Sequence, residues 1–114
     1  PVYMSGNFYA DGVPAYERDK NSVLSNSAAN AKINIEEDGV YLEMDIDTCF
    51  ADVKTEIITT EKLGMPRITE ALFENPDGTQ ITLDTDILGN KRGSTPTAGA
   101  IEGIGAGKVR VKII

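Results

Sequence analysis

Four carboxylates, a proline turn and three glycines fall within twenty residues, ENPDGTQITLDTDILGNKRG (74–93). Asp84, Asp86 and Asn90 supply oxygen ligands of the kind calcium takes, and Asp45 and Asp47 lie on another strand. The helix–loop–helix calcium pattern needs oxygen at alternate positions and a closing glutamate. Here Ile87 and Leu88 occupy ligand positions, and Lys91 and Arg92 oppose a cation. What remains is a weak candidate calcium site at Asp84 and Asp86, set against a polar strand end followed by a Gly89-Asn90 turn. No other cofactor is expected.

A second chemistry, glycoside cleavage, needs two acids about 5 to 10 Å apart, one with a raised pKa. Glu43 and Asp45 alternate along one strand face beside Tyr41 and Lys32, which reads as a solvated face. No catalytic residue is assigned. A third chemistry is sugar binding, which pairs an aromatic platform with planar hydrogen-bonding groups. Tyr41 sits on a polar strand face, while Tyr9 and Tyr16 belong to an aromatic group near the N-terminus. These three tyrosines are the candidate carbohydrate-binding residues; the alternative is that the N-terminal pair packs down a loop.

Other chemistries are closed by composition. The chain has no histidine, so Ser–His and Cys–His nucleophile systems and histidine-containing zinc sites are excluded within it. Cys49 is the single cysteine, which rules out an internal disulfide and reads as a small buried hydrophobe. A formal charge of −7 repels phosphate backbones and anionic lipid, arguing against nucleic acid. No apolar run approaches the ~20 residues of a membrane helix, so membrane insertion is not expected.

The elements that must position these residues are short. At 114 residues the chain is one domain. Residues 1–30 read as a loop-rich segment packing on the rest, with a loop over 19–30 and short extended pieces at Val2–Met4 and Asn7–Tyr9. Residues 31–114 carry the ordered body. AKINIEEDGVYLEMDID alternates around Asp38-Gly39, a two-residue hairpin signal. Setting Glu37 opposite Val40 places Ile35 against Leu42, Ile33 against Met44 and Lys32 against Asp45. The β-branched run Val53–Thr60 predicts a strand ended by Gly64 and Pro66. Pro76-Asp77-Gly78 predicts a type I turn closed by a glycine bulge, with Asn75 opposite Thr79, Glu74 opposite Gln80, Phe73 opposite Ile81 and Ala71 opposite Leu83. KVRVKII predicts a half-buried strand with a basic outer face. A short helical turn is predicted near DTCFADV, and no capped helix. Six to eight short strands and almost no helix give an all-β fold, an antiparallel β-sandwich, with a partly open barrel as the alternative.

Phe73–Gly78, Asp84–Arg92 and Gly99–Glu102, within YLEMDID…TEIITTEKLG…ALFENPDGTQITLDTDILGNKRG…TAGAIEG…GKVRVKI, carry a family resemblance. Over the last two-thirds of its length the chain resembles the β-sandwich portion of bacterial carbohydrate-active proteins built on a right-handed parallel β-helix. The group it resembles is the β-xylosidase-like glycoside-hydrolase family 120. The resemblance implies a non-catalytic accessory domain, packed on a β-helix of the same parent protein and walling its substrate cleft. It also implies export: secreted, periplasmic or at the cell surface. The opening PVYMSGNFYADG reads in the same sense, as a mature product or excised domain, and no β-helix rungs are visible in the sequence. An exposed apolar patch of several hundred Å2 is expected where the partner docks. The alternatives are an independent carbohydrate-binding module and a surface or adhesion domain.

Overall fold

The computed structural model describes residues 3–114. Among the described residues the chain is all-β, with seven short strands and no closed barrel. Val2 of the expected first extended piece lies outside the described residues.

The first thirty residues depart most from the sequence reading. Strands β1 (Met4–Ser5), β2 (Phe8–Tyr9), β3 (Asp19–Lys20) and β4 (Val23–Leu24) form two parallel pairs. Met4 lies opposite Asp19, Ser5 opposite Lys20, Phe8 opposite Val23 and Tyr9 opposite Leu24, every pair fifteen residues apart. A constant offset across both pairs means one coil of chain stacked on the next. Gly6 and Asn21, again fifteen apart, turn the corner between the paired segments with φ of 71° and 58°. Glycine and asparagine are the residues that enter this left-handed region at least cost. The loop expected over 19–30 therefore contains the second coil. Alternation of apolar residues did not reveal it, because each strand is only two residues long.

β5 (Lys32–Glu36), β6 (Gly39–Ile46) and β7 (Gly107–Lys112) form the antiparallel sheet, in that order. The hairpin exists, but its turn is Glu37-Asp38, and Glu36 pairs with Gly39. Ile33 therefore faces Leu42, Ile35 faces Val40 and Lys32 faces Glu43, two residues away from the expected register. A shift of two keeps each side chain on its face, so the apolar stripe survives the correction. On β7, Val109 and Val111 oppose Met44 and Leu42.

The stripe is covered at one end only. Ile46 is 9% exposed, and Phe8 of the first coil meets Phe50 edge-on at 5.3 Å between ring centroids. A cavity between the layers is lined by Phe8, Leu42, Met44, Phe50, Ile101 and Ile104. At the other end Ile33 is 56% and Ile35 84% exposed. Phe50 belongs to the expected helical turn, a 3-10 turn over Thr48–Asp52 capped by Asp47.

The strand expected over Val53–Thr60 is not formed. Thr59 caps a four-residue helix, α1 (Thr60–Leu63), and Gly64 closes it at φ 70°. A serine- or threonine-type cap followed by straight-chain Glu61, Lys62 and Leu63 favours the helical turn over an extended end. The second reversal is as expected at its tip: Gly78 N–H donates to Asn75 C=O at 2.8 Å, Asn75 N–H to Thr79 C=O at 2.9 Å, and Glu74 bridges Gln80. Beyond it the two arms separate. Thr82 bridges Thr59, and Leu83 N–H donates to Ile58 C=O at 2.8 Å, so the second arm pairs with the chain before α1 instead of with Ala71 and Phe73. Phe73 is left 45% exposed.

The molecule is open for its mass. Its accessible surface is 8261 Å2, against about 6,100 Å2 for a compact monomer of this size. Its radius of gyration is 16.4 Å, against about 13 Å by the usual scaling.

Candidate functional site

Among the described residues, the polar face of the sheet gathers four of the seven ion pairs. Glu43 on β6 lies between Lys32 on β5 and Arg110 on β7, and Asp45 lies opposite Lys108. Lys32 Nζ approaches Glu43 at 3.0 Å, and Arg110 donates to Glu43 Oε1 at 2.9 Å. Arg110 also grips Glu36 with both terminal nitrogens, Nη1 on Oε1 at 2.9 Å and Nη2 on Oε2 at 2.9 Å, the bidentate geometry that a planar guanidinium allows. Its carbon sits 3.8 Å from the centroid of the Tyr41 ring, and Tyr41 donates its hydroxyl to Asp38 at 2.7 Å. Asn30 and Lys108 both donate to Asp45, at 2.7 and 3.3 Å.

An open groove of about 500 Å3 runs along this face, bounded by Asn30, Lys32, Glu43, Asp45, Lys108 and Arg110. Its groups donate and accept hydrogen bonds around a shallow trough, which suits hydroxyl-rich ligands better than proton transfer. Lys32 and then Arg110 hold Glu43 below the ordinary carboxylate value, and Asn30 and Lys108 do the same for Asp45. Asp38, Asp47, Asp77 and Asp84 are likewise held low, each chiefly by a side-chain hydrogen bond. A glycosidase acid must hold its proton near neutrality and so needs the opposite shift.

The three candidate tyrosines do not form one platform. Tyr9 and Tyr16 meet where the Tyr16 N–H reaches the Tyr9 hydroxyl at 3.5 Å. Tyr41 lies on another sheet, with Arg110 over its ring. Arg110 and Glu36 were not among the sequence candidates. The K-x-R-x-K alternation was a signal for them, since a basic strand face beside an acidic one forms cross-strand pairs.

Asp84 pairs with Lys91. Asp86 is 8% exposed and accepts from the Leu88 and Asn90 N–H groups at 2.9 and 2.8 Å, the Asn90 side chain at 2.9 Å and the Glu102 N–H at 2.9 Å. Burial pushes its carboxyl up, but these four donors outweigh that and bring it down to about 2. The donors occupy the lone pairs that a cation would use. Among the described residues no group of three or more acidic or cysteine side chains is placed to hold a metal. Around Asp86, Arg92 donates to the Thr97 and Gly99 carbonyls, at 3.0 and 2.7 Å, and Glu102 accepts from Thr97 N–H at 3.0 Å. The stretch 84–103 is thus a loop knitted around one carboxylate. Cys49, half-buried, points its thiol towards the Leu24 carbonyl at 3.8 Å.

A two-coil parallel stack against a three-stranded antiparallel sheet defines an all-β domain with a polar groove and a partly bare apolar face. A portion of the solved structure of XylC in complex with xylose is similar to it, with a TM-score of 0.92 and 30% identity over the whole of this chain. The chain spans 18% of the length of that protein. No family model and no curated protein matches the sequence.

Proposed function

We propose that this chain is a non-catalytic accessory domain of a secreted, glycoside-hydrolase-like protein of the β-xylosidase-like group it resembles. In this reading it packs on a parallel β-helix of the same polypeptide and turns its polar sheet face towards the substrate. The observation that carries the reading is the likeness to a portion of XylC, found over the full length of this chain. The excess surface supports it: about 2,000 Å2 beyond a compact monomer is the scale of a large protein interface. The depressed carboxyl groups support a binding face over a proton-transferring one.

Hydrolysis of aryl β-xylosides by the full polypeptide, with Glu43→Gln and Asp45→Asn variants, tests this. The expected result is activity that survives both substitutions in kcat. Loss of kcat by 1,000-fold or more, on the order expected for a catalytic acid, would make this domain the seat of the chemistry.

A second reading, an independent glycan-binding module, draws on the groove beside Arg110 and Tyr41. Titration with xylo-oligosaccharides decides it: saturable binding abolished by Arg110→Ala supports the module, and silence removes it.

A further inference from the structure

We infer that the outer edge of the first coil, the backbone of Ser5 and Phe8, is a docking edge for one further parallel β-coil of the same longer polypeptide. The inference rests on the accessory-domain reading and fixes where, and in which register, the partner joins. Three bonds show which groups face the second coil: Gly6 N–H donates to Lys20 C=O at 2.9 Å, Val23 N–H to Asn7 C=O at 3.0 Å and Ser25 N–H to Tyr9 C=O at 2.8 Å. Along an extended strand the backbone groups of successive residues point to opposite sides. Ser5 and Phe8 therefore aim their N–H and C=O away from the stack, and neither has a backbone partner among the described residues. The far side of the second coil is different. Leu24 C=O receives the Cys49 thiol at 3.8 Å, and Ala29 C=O receives Asp45 N–H at 2.7 Å, so the 3-10 turn and β6 close it. At Ser5 and Phe8 the first coil has no such cover among the described residues.

The occupant follows from direction and spacing. An unpaired edge of backbone donors and acceptors is a template for another strand. Both existing pairs are parallel with the same fifteen-residue step, so a further coil of like path continues every bond. A second copy meeting this edge about a twofold axis would run antiparallel and break that register. The related XylC chain is more than five times as long as the portion matched here, which leaves ample chain to supply a coil. Side chains add a second register mark. Asn7 donates to Asp19 at 3.0 Å and Asn21 to Ser5 Oγ at 3.3 Å across the coils. The corner occupied by Gly6 and Asn21 calls for glycine or asparagine at the matching position of the docking coil.

Residue-resolved hydrogen exchange on the full-length polypeptide tests the edge. The amides of Ser5 and Phe8 are expected to be protected by ~100-fold or more, as for paired strand interiors. Ser5→Pro removes one outward donor and no backbone bond within the stack, and the Asn21–Ser5 side-chain bond is lost equally in Ser5→Ala. Phe8 loses protection in the proline variant, whereas Ser5→Ala leaves it unchanged. Free exchange at Ser5 and Phe8 in the wild-type polypeptide overturns the inference whether or not the proline variant folds. Protection that rises with protein concentration also overturns it, since it marks pairing between copies. Aryl-xyloside hydrolysis on the same sample separates the two proposals. A protected edge without activity defeats only the hydrolase reading, and activity with a free edge defeats only the docking edge.

Discussion

Gly6 and Asn21 occupy the same corner of successive coils, both left-handed and fifteen residues apart, but only Gly6 is closed in. A Cβ on Gly6 would lie 2.5 Å from the Lys54 carbonyl oxygen, a backbone atom that cannot swing aside. Gly6→Ala is therefore expected to cost about 1–3 kcal/mol from clash and positive φ together. Asn21→Gly keeps the conformation and loses one exposed amide contact, so it should stay within about 1 kcal/mol. Chemical denaturation of both variants checks the contrast; equal losses would mean that the corner itself, not the Lys54 contact, sets the cost.

Asp86 should impose an acid limit on the loop it organises. Its carboxyl is lowered from 3.8 to about 2 on folding. A lowered folded value means the unfolded chain takes up the proton first, so the contribution is fully present above pH 4 and is lost as pH falls through 2. Denaturation midpoints between pH 5 and pH 2 should fall further for the wild type than for Asp86→Asn, which cannot titrate. Parallel falls would show that other carboxylates carry the acid response.

Calcium should have no effect on stability. Asp84 is engaged by Lys91, and Asp86 by four N–H donors. Melting curves with millimolar calcium and with chelator are expected to superimpose. A calcium-dependent rise in Tm that Asp86→Asn abolishes would restore the cation site.

The apolar face should respond to substitution unevenly along its length. Ile46, almost fully buried beside the Phe8–Phe50 contact, should cost about 2–5 kcal/mol as Ile46→Ala. Ile35 is 84% exposed, and Ile35→Ala should cost less than about 0.5 kcal/mol in this chain alone. In the full polypeptide the Ile35→Ala cost is expected to rise if the bare end is where the partner packs. An unchanged value in both contexts would place the partner elsewhere.

What the sequence determined by itself was local: the all-β class, the Asn75–Thr79 reversal, the 3-10 turn after Asp47 and the two faces of the sheet. Each depends on side chains within a few residues of one another, on period-two alternation, or on a turn residue whose φ is fixed by its own chemistry. Tertiary structure decided the rest. The Lys32–Glu43 register depends on which residues the turn consumes, and Thr82 pairs with Thr59, on the chain before α1, instead of with the other arm of its own reversal. The coil stack was illegible because two-residue strands carry no period; only the fifteen-residue step, visible once both coils are in place, reveals it. Asp86 looked like a ligand by spacing, yet Glu102, sixteen residues on, supplies one of the donors that make it a structural anion. Sequence spacing records which groups exist, and packing decides which of them remain free.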